Sequence, residues 1–230
     1  MSYVPTVSAE EAERIRTWHE RAYEEARAQS AGTDQTFDYL GLTLIVPPQV
    51  MPITRVSHLL GEAVLAEVRP GDRVLDMGTG SGVNALLAAA RGASVLAVDI
   101  NPEAVAAARR NADRNGLAER VEVRLSDVFG AVHDTYDVIV FDPPFRWFAP
   151  RDLFEMASTD ENYGAMTRFF RDARQHLTAG GRMLIFFGTS GDLGYLQRLT
   201  SEAGFTSNVV AELELDRDGH RVRYLTLRLT

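Results

Sequence analysis

A doubly wound α/β sheet of seven strands ending in an antiparallel hairpin is the fold this sequence predicts, and three observations predict it. From Arg69 onward, short apolar runs rich in Val, Ile and Leu alternate with helical stretches. The first of these runs opens into a glycine-rich loop that leads into a helix. Near the C-terminal end the alternation stops, and two β-rich runs flank a turn signal containing Asp218 and Gly219. Strand–helix alternation specifies parallel strands joined by crossovers, whereas an Asp-Gly turn reverses the chain and sets the last strand antiparallel to its neighbour.

The elements follow in order. "SAEEAERIRTWHERAYEEARAQS" predicts a helix capped by Ser8, with Glu11 completing a capping box and Ile15, Trp18, Ala22 and Ala26 on one face. "TFDYLGLTLIVPP" predicts a short hairpin, and "TRVSHLLGEAVLAEV" a second helix capped by Thr54. The strands are "DRVLDMG", "ASVLAVDI", "VEVRL", "YDVIVFD" and "GRMLIFFG", then "SNVVAELELD" and "RVRYLTLRLT". Their near-continuous apolar character suits strands covered on both faces. Helices are expected at "SGVNALLAAARG", "NPEAVAAARRNADRNG", around "NYGAMTRFFRDARQHLTAGG" and at "SGDLGYLQRLTSEAG". The expected division is a short N-terminal helix and hairpin over 1–53 and the sheet domain over 54–230, a Rossmann-like arrangement.

Composition narrows the chemistry. With 230 residues, 45% of them hydrophobic, the chain can bury a substantial core. The net charge of −8 disfavours a partner held by bulk positive charge, nucleic acid above all. Zero cysteines exclude a disulfide framework, a thiolate metal site and a cysteine nucleophile. All 24 basic residues are arginine, which excludes lysine Schiff-base chemistry and a P-loop lysine. The five histidines show no paired spacing, so no metal site is expected. No apolar leader or membrane-length apolar stretch stands out, and a cytoplasmic protein is the expectation.

Two constellations carry chemistry. "VLDMGTGSGVNAL" places Gly78, Gly80 and Gly82 between a strand and a helix, where glycine permits a tight turn and close approach of a ligand to the backbone. Asp99 ends the next strand and suits both hydroxyls of a ribose, with Ile100 beside it for adenine packing. Asp127 follows the third strand, within reach of an adenine amino group. Two ligands fit, a dinucleotide or S-adenosylmethionine. The G-x-G-x-G spacing and Asp76 favour the second, because a carboxylate there suits a cationic amino-acid end and repels a pyrophosphate. The other constellation is "FDPPF" at 141–145, an abrupt strand end that combines a carboxylate, two rigid rings and an aromatic side chain.

Here the sequence resembles a known family. "VLDMGTGSG", "AVDINPEAVAAARRNADRNG", "VRLSDVF" and "YDVIVFDPPF" are similar to the successive motifs of class I S-adenosylmethionine-dependent methyltransferases, from about Pro70 to Phe145. Asp142-Pro143-Pro144-Phe145 resembles the (Asp/Asn)-Pro-Pro-aromatic motif of the amino-methyltransferases. Those include the release-factor glutamine methyltransferases and the N-methyltransferases of adenine and guanine in nucleic acids. "FDYLGLTLIVPPQVMPITRVSHLL" is similar in layout to the entry hairpin and helix of the glutamine-modifying group. This chain carries Asp142 where that group has Asn, Phe145 where it has Tyr, and "MPITRVS" in place of its Arg-Pro-Glu-Thr run.

The resemblance implies S-adenosyl-L-methionine as methyl donor and a nitrogen as target. An amide or exocyclic nitrogen is a poor nucleophile, because its lone pair is delocalised. Asp142 and the Pro143 carbonyl are expected to hold its N–H bonds, the prolines to keep that carbonyl outward, and Phe145 to stack on the planar group. Pro144, Arg146, Trp147 and Phe148 are candidate acceptor-pocket residues, with Arg151 and Tyr163 further along. A plain strand stop, with Asp142 bonded to nearby backbone and Phe145 in the core, is the competing reading. The N-terminal segment would act as a lid or acceptor-side appendage. The expected acceptor is a small metabolite or a protein side chain. A base of ribosomal or transfer RNA, small-molecule O-methylation, a nicotinamide oxidoreductase and a catalytically silent partner subunit are the alternatives.

Overall fold

A computed structural model describes residues 3–29, 32–217 and 219–230. Helix α1 (Ala9–Gln29) precedes a hairpin of β1 (Gln35–Tyr39) and β2 (Leu42–Val46). Then come α2 (His58–Glu67), β3 (Arg73–Met77), α3 (Val83–Ala90), β4 (Ser94–Asp99), α4 (Pro102–Arg114), β5 (Val121–Leu125) and β6 (Tyr136–Phe141). The remainder is α5 (Gly164–Asp172), β7 (Leu177–Gly188), α6 (Leu193–Glu202), β8 (Ser207–Arg217) and β9 (His220–Leu229).

The large sheet has the order β5-β4-β3-β6-β7-β9-β8. β3 pairs in parallel with both β4 and β6, with Met77 opposite Val98 on one side and Phe141 on the other. The strand order therefore reverses at β3 and β6, and a crevice opens beyond their C-terminal ends, where open α/β sheets bind ligands. β9 runs antiparallel to β7 and to β8, so the terminal hairpin is as expected. Asp218 of its turn lies outside the described residues, while Gly219 takes the left-handed conformation (φ 77°).

The apolar runs became strands for the reason their composition suggests. Val74, Leu75, Val138, Ile139, Val140, Met183, Leu184 and Ile185 are all buried, as strands between two layers must be. The small hairpin turns on Leu40 and Gly41, both at positive φ, and sends Leu42 and Leu44 into the main core. It is fastened to α4 by two side-chain amides. Asn111 accepts from the Ile45 N–H at 2.9 Å and donates to its carbonyl, and Asn115 does the same for Thr43. α1 is held by polar contacts to the loop after β6, chiefly His19 to Glu155 at 2.7 Å and Tyr23 to Asp152 at 2.7 Å.

Three local expectations are corrected. Ser8 caps α1 through the Glu11 N–H, but the Glu11 side chain turns to Arg14, so the capping box is only half formed. Thr54 does not cap the second helix: Thr54 to Ser57 form a turn, and α2 begins at His58. The helix around 162–181 is much shorter than its sequence suggests. α5 ends at Asp172, a 3₁₀ turn covers Ala173–His176, and Leu177 already begins β7, where it pairs with Tyr136 of β6.

Candidate functional site

The glycine loop joins β3 to α3 at the sheet's reversal point. Gly78, Gly80 and Gly82 adopt φ of 68°, 54° and 88°, a region L-residues rarely enter. Gly82 is doubly required, since a Cβ there would stand 3.1 Å from Ala108 of α4. The Asp99 carboxylate braces the loop by accepting the Gly80 N–H at 2.8 Å through one oxygen and the Asn101 N–H at 2.8 Å through the other. Burial pushes its carboxyl up even so. Ile100 stands exposed beside it, an apolar side chain left uncovered at the rim.

Asp76 is 2% exposed at the base of this loop. Its Oδ2 accepts from the Thr79 hydroxyl at 2.6 Å and from the Ala85 N–H at 3.1 Å, while Oδ1 receives no hydrogen bond among the described residues. Burial pushes the carboxyl up to about 6, the two hydrogen bonds oppose that, and the nearby Asp99 charge adds to it. A buried carboxylate with one oxygen unengaged is suited to an ammonium group. This donor set, with the positive-φ loop and Asp99, fits the amino-acid and ribose ends of S-adenosylmethionine.

Asp142 follows β6 directly, so it emerges next to the glycine loop. Its side chain is exposed, yet burial is the main cause that pushes its carboxyl up to about 7, with the Asp76 charge second and no hydrogen bond in opposition. Water reaches the carboxylate, while the protein packed around it and the Asp76 charge disfavour its ionised form. Of the strand-stop reading one part fails and one is met: among the described residues Asp142 makes no backbone hydrogen bond, whereas Phe145 does belong to the core.

The neighbours of Asp142 divide. Pro143 is buried and Pro144 half-buried. Phe145 packs its ring against Phe186, Phe187 and Tyr224 at centroid distances of 5.6, 4.9 and 6.3 Å, as a core residue does. Its ring is thereby buried, at 9% exposure. Arg146 places its guanidinium 5.8 Å from the Phe145 ring centroid, and Trp147 is half-buried between Tyr3 and Tyr163. Phe148 turns toward α1, under the Arg16 guanidinium at 4.2 Å and beside His19. Asp127 stands apart at the surface, its carboxylate 2.6 Å from Arg168, so reaching an adenine requires this ion pair to open.

Sequence reasoning missed several residues. His19 and Glu155 form a buried pair, in which burial pushes the imidazole down and keeps it neutral. Burial also works against the Glu155 carboxylate, but hydrogen bonds from Arg151 prevail and hold it down at about 2. Arg151 is thus a structural clamp, also reaching Glu20 at 2.8 Å. Beside these groups lies a cleft of about 360 Å³ lined in part by Arg16, Glu20, Trp147 and Phe148. Tyr163, considered for the acceptor, is instead completely buried and hydrogen-bonded to the Phe145 carbonyl. The Asp160 carboxylate accepts from the Ala165 and Met166 N–H groups in the first turn of α5 at 3.0 and 2.9 Å.

Residues 53–213 match the family model described as "Methyltransferase small domain". The chain is 38% identical over 156 residues to the ribosomal RNA small subunit methyltransferase C of Chromohalobacter salexigens, covering 65% of this chain and 43% of that protein. It is 32% identical over 209 residues to the release factor glutamine methyltransferase of Agrobacterium fabrum, covering 83% of this chain and 71% of the relative. It thus spans less than half of the first relative's length. Among solved structures, Trm5 of Methanocaldococcus jannaschii in complex with adenosine superimposes with a TM-score of 0.64 at 19% identity, over 86% of this chain and 56% of the other. That last likeness concerns the fold.

Proposed function

Because the chain belongs to the methyltransferase small domain family, within the class I S-adenosylmethionine-dependent enzymes, we propose that it methylates an amide or amine nitrogen of a protein side chain or small metabolite. The cofactor supplies an electrophilic methyl group on a sulfonium, and its transfer leaves S-adenosylhomocysteine. Asp76 meets the ammonium group, Asp99 the ribose diol, and the glycine loop the space between them. Ile100 covers the adenine, and Asp127, once released from Arg168, takes its amino group. The observation that carries the reading is Asp142, an exposed carboxylate with no hydrogen bond among the described residues, at the end of β6 next to the glycine loop.

Asp142 and the Pro143 carbonyl take the acceptor's N–H bonds, which turns the nitrogen lone pair toward the methyl group. Phe145 borders the planar group, with Pro144, Arg146, Trp147 and Phe148 around the entrance. As the N–C bond forms, positive charge grows on nitrogen and Asp142 stabilises it, then accepts the proton for release to solvent. Positioning in such displacements contributes up to about 7–11 kcal/mol.

The names of the relatives supply an acceptor panel: release factor, ribosomal proteins uL3 and L11, and small-subunit ribosomal RNA. Labelled methyl transfer to this panel, and to small amines, tests the proposal. Asp142→Ala should lose most turnover while S-adenosylhomocysteine affinity changes by no more than a few fold. Undiminished turnover in this variant sinks the mechanism. The rRNA-named relative favours a second reading, methylation of a base nitrogen, against which the net charge of −8 weighs. Steeply salt-dependent RNA binding would promote it.

A further inference from the structure

The D-P-P-F loop does not hold its own shape. Its Phe145 carbonyl accepts a hydrogen bond from the Tyr163 hydroxyl, which in turn accepts the Asp192 N–H at 2.9 Å. The Asp192 carboxylate, fully buried, accepts from the Tyr3 hydroxyl at 3.0 Å, the Thr6 N–H at 2.7 Å, the Thr6 hydroxyl and the Tyr195 N–H at 3.0 Å. Two glycines let these parts meet. A Cβ on Gly191 would overlap the Phe145 carbonyl oxygen and lie 2.9 Å from its carbon, and one on Gly194 would lie 3.1 Å from the Thr6 Cβ. Neither glycine has positive φ, so close approach, not backbone freedom, is what each position requires.

Tyr163 is also held in an uncommon conformation. It and Asn162 sit at φ 49° and 53°, consecutive non-glycine residues in the left-handed region, where such backbone is strained. Such backbone persists only where its surroundings over-determine it. Here the surroundings are Tyr195, stacked on the Tyr163 ring at 5.3 Å, Tyr3 packed edge-on at 5.0 Å, and the bond from the Asn162 N–H to the Trp147 carbonyl at 3.0 Å.

We infer that Tyr163, Gly191 and Asp192 are positioning residues for the acceptor clamp, and that Tyr3–Thr6 is a strap that keeps them set. The inference rests on the methyl-transfer reading. Pro143 and Pro144 have little φ freedom, so holding the Phe145 carbonyl at one end and β6 at the other narrows the paths open to the backbone that carries the Asp142 carboxylate and the Pro143 carbonyl. Thr6 bonds the Asp192 carboxylate and Tyr3 also packs against the Tyr163 and Trp147 rings, while neither hydrogen-bonds Asp142 or Pro143 among the described residues.

The test uses the full chain with Tyr163→Phe, Thr6→Val and, as conservative rescue, Thr6→Ser. Hydrogen exchange is followed at the Arg146 and Asn162 amides, whose bonds to Ser158 and Trp147 close the segment after the clamp. Losing one such hydrogen bond should raise exchange there about tenfold. Turnover should fall by a similar factor, with S-adenosylhomocysteine affinity within twofold and Thr6→Ser near the parent chain. Thr6→Val, remote and close in volume, keeps the test open if Tyr163→Phe fails to fold. A purely structural role would lower the melting temperature and leave both exchange at these amides and turnover per folded molecule unchanged. That result overturns the inference, as does raised exchange with full turnover. Failure of the functional reading looks different: the parent chain methylates nothing, or Asp142→Ala is fully active, and exchange alone then decides whether strap and loop are coupled.

Discussion

Asp76→Asn should make this protein more stable and worse at holding its methyl donor. Both protein hydrogen bonds to Asp76 fall on Oδ2, from Thr79 and Ala85, so an asparagine carbonyl can accept them unchanged. What disappears is a buried negative charge near Asp99. A carboxyl of ordinary value 3.8 pushed up to about 6 is a folded state that prefers the proton. Its contribution to stability is complete below about pH 4 and is lost as pH rises through about 6. At 1.36 kcal/mol per pH unit the loss is about 3 kcal/mol.

Urea unfolding of both proteins from pH 4 to pH 8 should show the variant gaining about that much relative to the parent chain, with the whole gain accumulating below pH 7. Calorimetry should show the opposite effect on binding. Losing a charge-assisted hydrogen bond to the ammonium group costs about 1.5–3 kcal/mol, or about 10- to 100-fold in affinity for S-adenosylhomocysteine. Methylthioadenosine has no amino-acid end, so its affinity should stay within twofold. A stability difference that does not vary with pH, or equal weakening of both ligands, would overturn this account of Asp76. The first outcome would mean that Asp76 is not strained by burial, and the second that the substitution distorts the whole loop.

Further expectations concern the clamp and the loop beside it. With its carboxyl at about 7, Asp142 is ionised only above neutrality, so kcat/KM should rise with pH along a limb centred near 7. Asp142→Asn should remove that limb and keep residual activity on amides; a limb that survives the substitution places the ionisation elsewhere. Gly82→Ala should cost about 1–3 kcal/mol in denaturant unfolding, because it combines φ 88° with a 3.1 Å approach to Ala108. Glu155→Ala should leave Arg151 and buried His19 without their shared partner and loosen α1, seen as faster proteolysis within Ala9–Gln29. Unchanged cleavage there would mean that α1 is held by its apolar contacts alone.

Much of the site was legible because it is written in short windows. The glycine spacing, Asp76 two residues before it, Asp99 at the next strand end and the double proline after β6 each sit within one strand–turn unit, where composition and local geometry determine each other. The helix limits near Thr54 and Leu177 were less so. There the chain's own preference is weak, and pairing with a distant strand or the packing of a turn chose between alternatives. Phe145 illustrates the limit at one residue: an aromatic after Pro-Pro reads as a stacking surface, but the side chain follows the nearest apolar space, which Phe186, Phe187 and Tyr224 provide. Asp127 is similar, since its ion partner Arg168 lies 41 positions away.

The parallel strands, the antiparallel terminal hairpin and the two loops that carry the site follow from local sequence, because periodicity and glycine chemistry act over a few residues. The reversal of strand order at β3 and β6 came with folding, as did the bond from Tyr163 to the Phe145 carbonyl, the strap that reaches Asp192 from 186 positions upstream and the pairing of His19 with Glu155 across 136. A hydrogen bond in a buried site depends on which groups packing has brought within about 3 Å and shielded from water. No local pattern carries that information, so the residues that shape the clamp became visible only when the chain was folded.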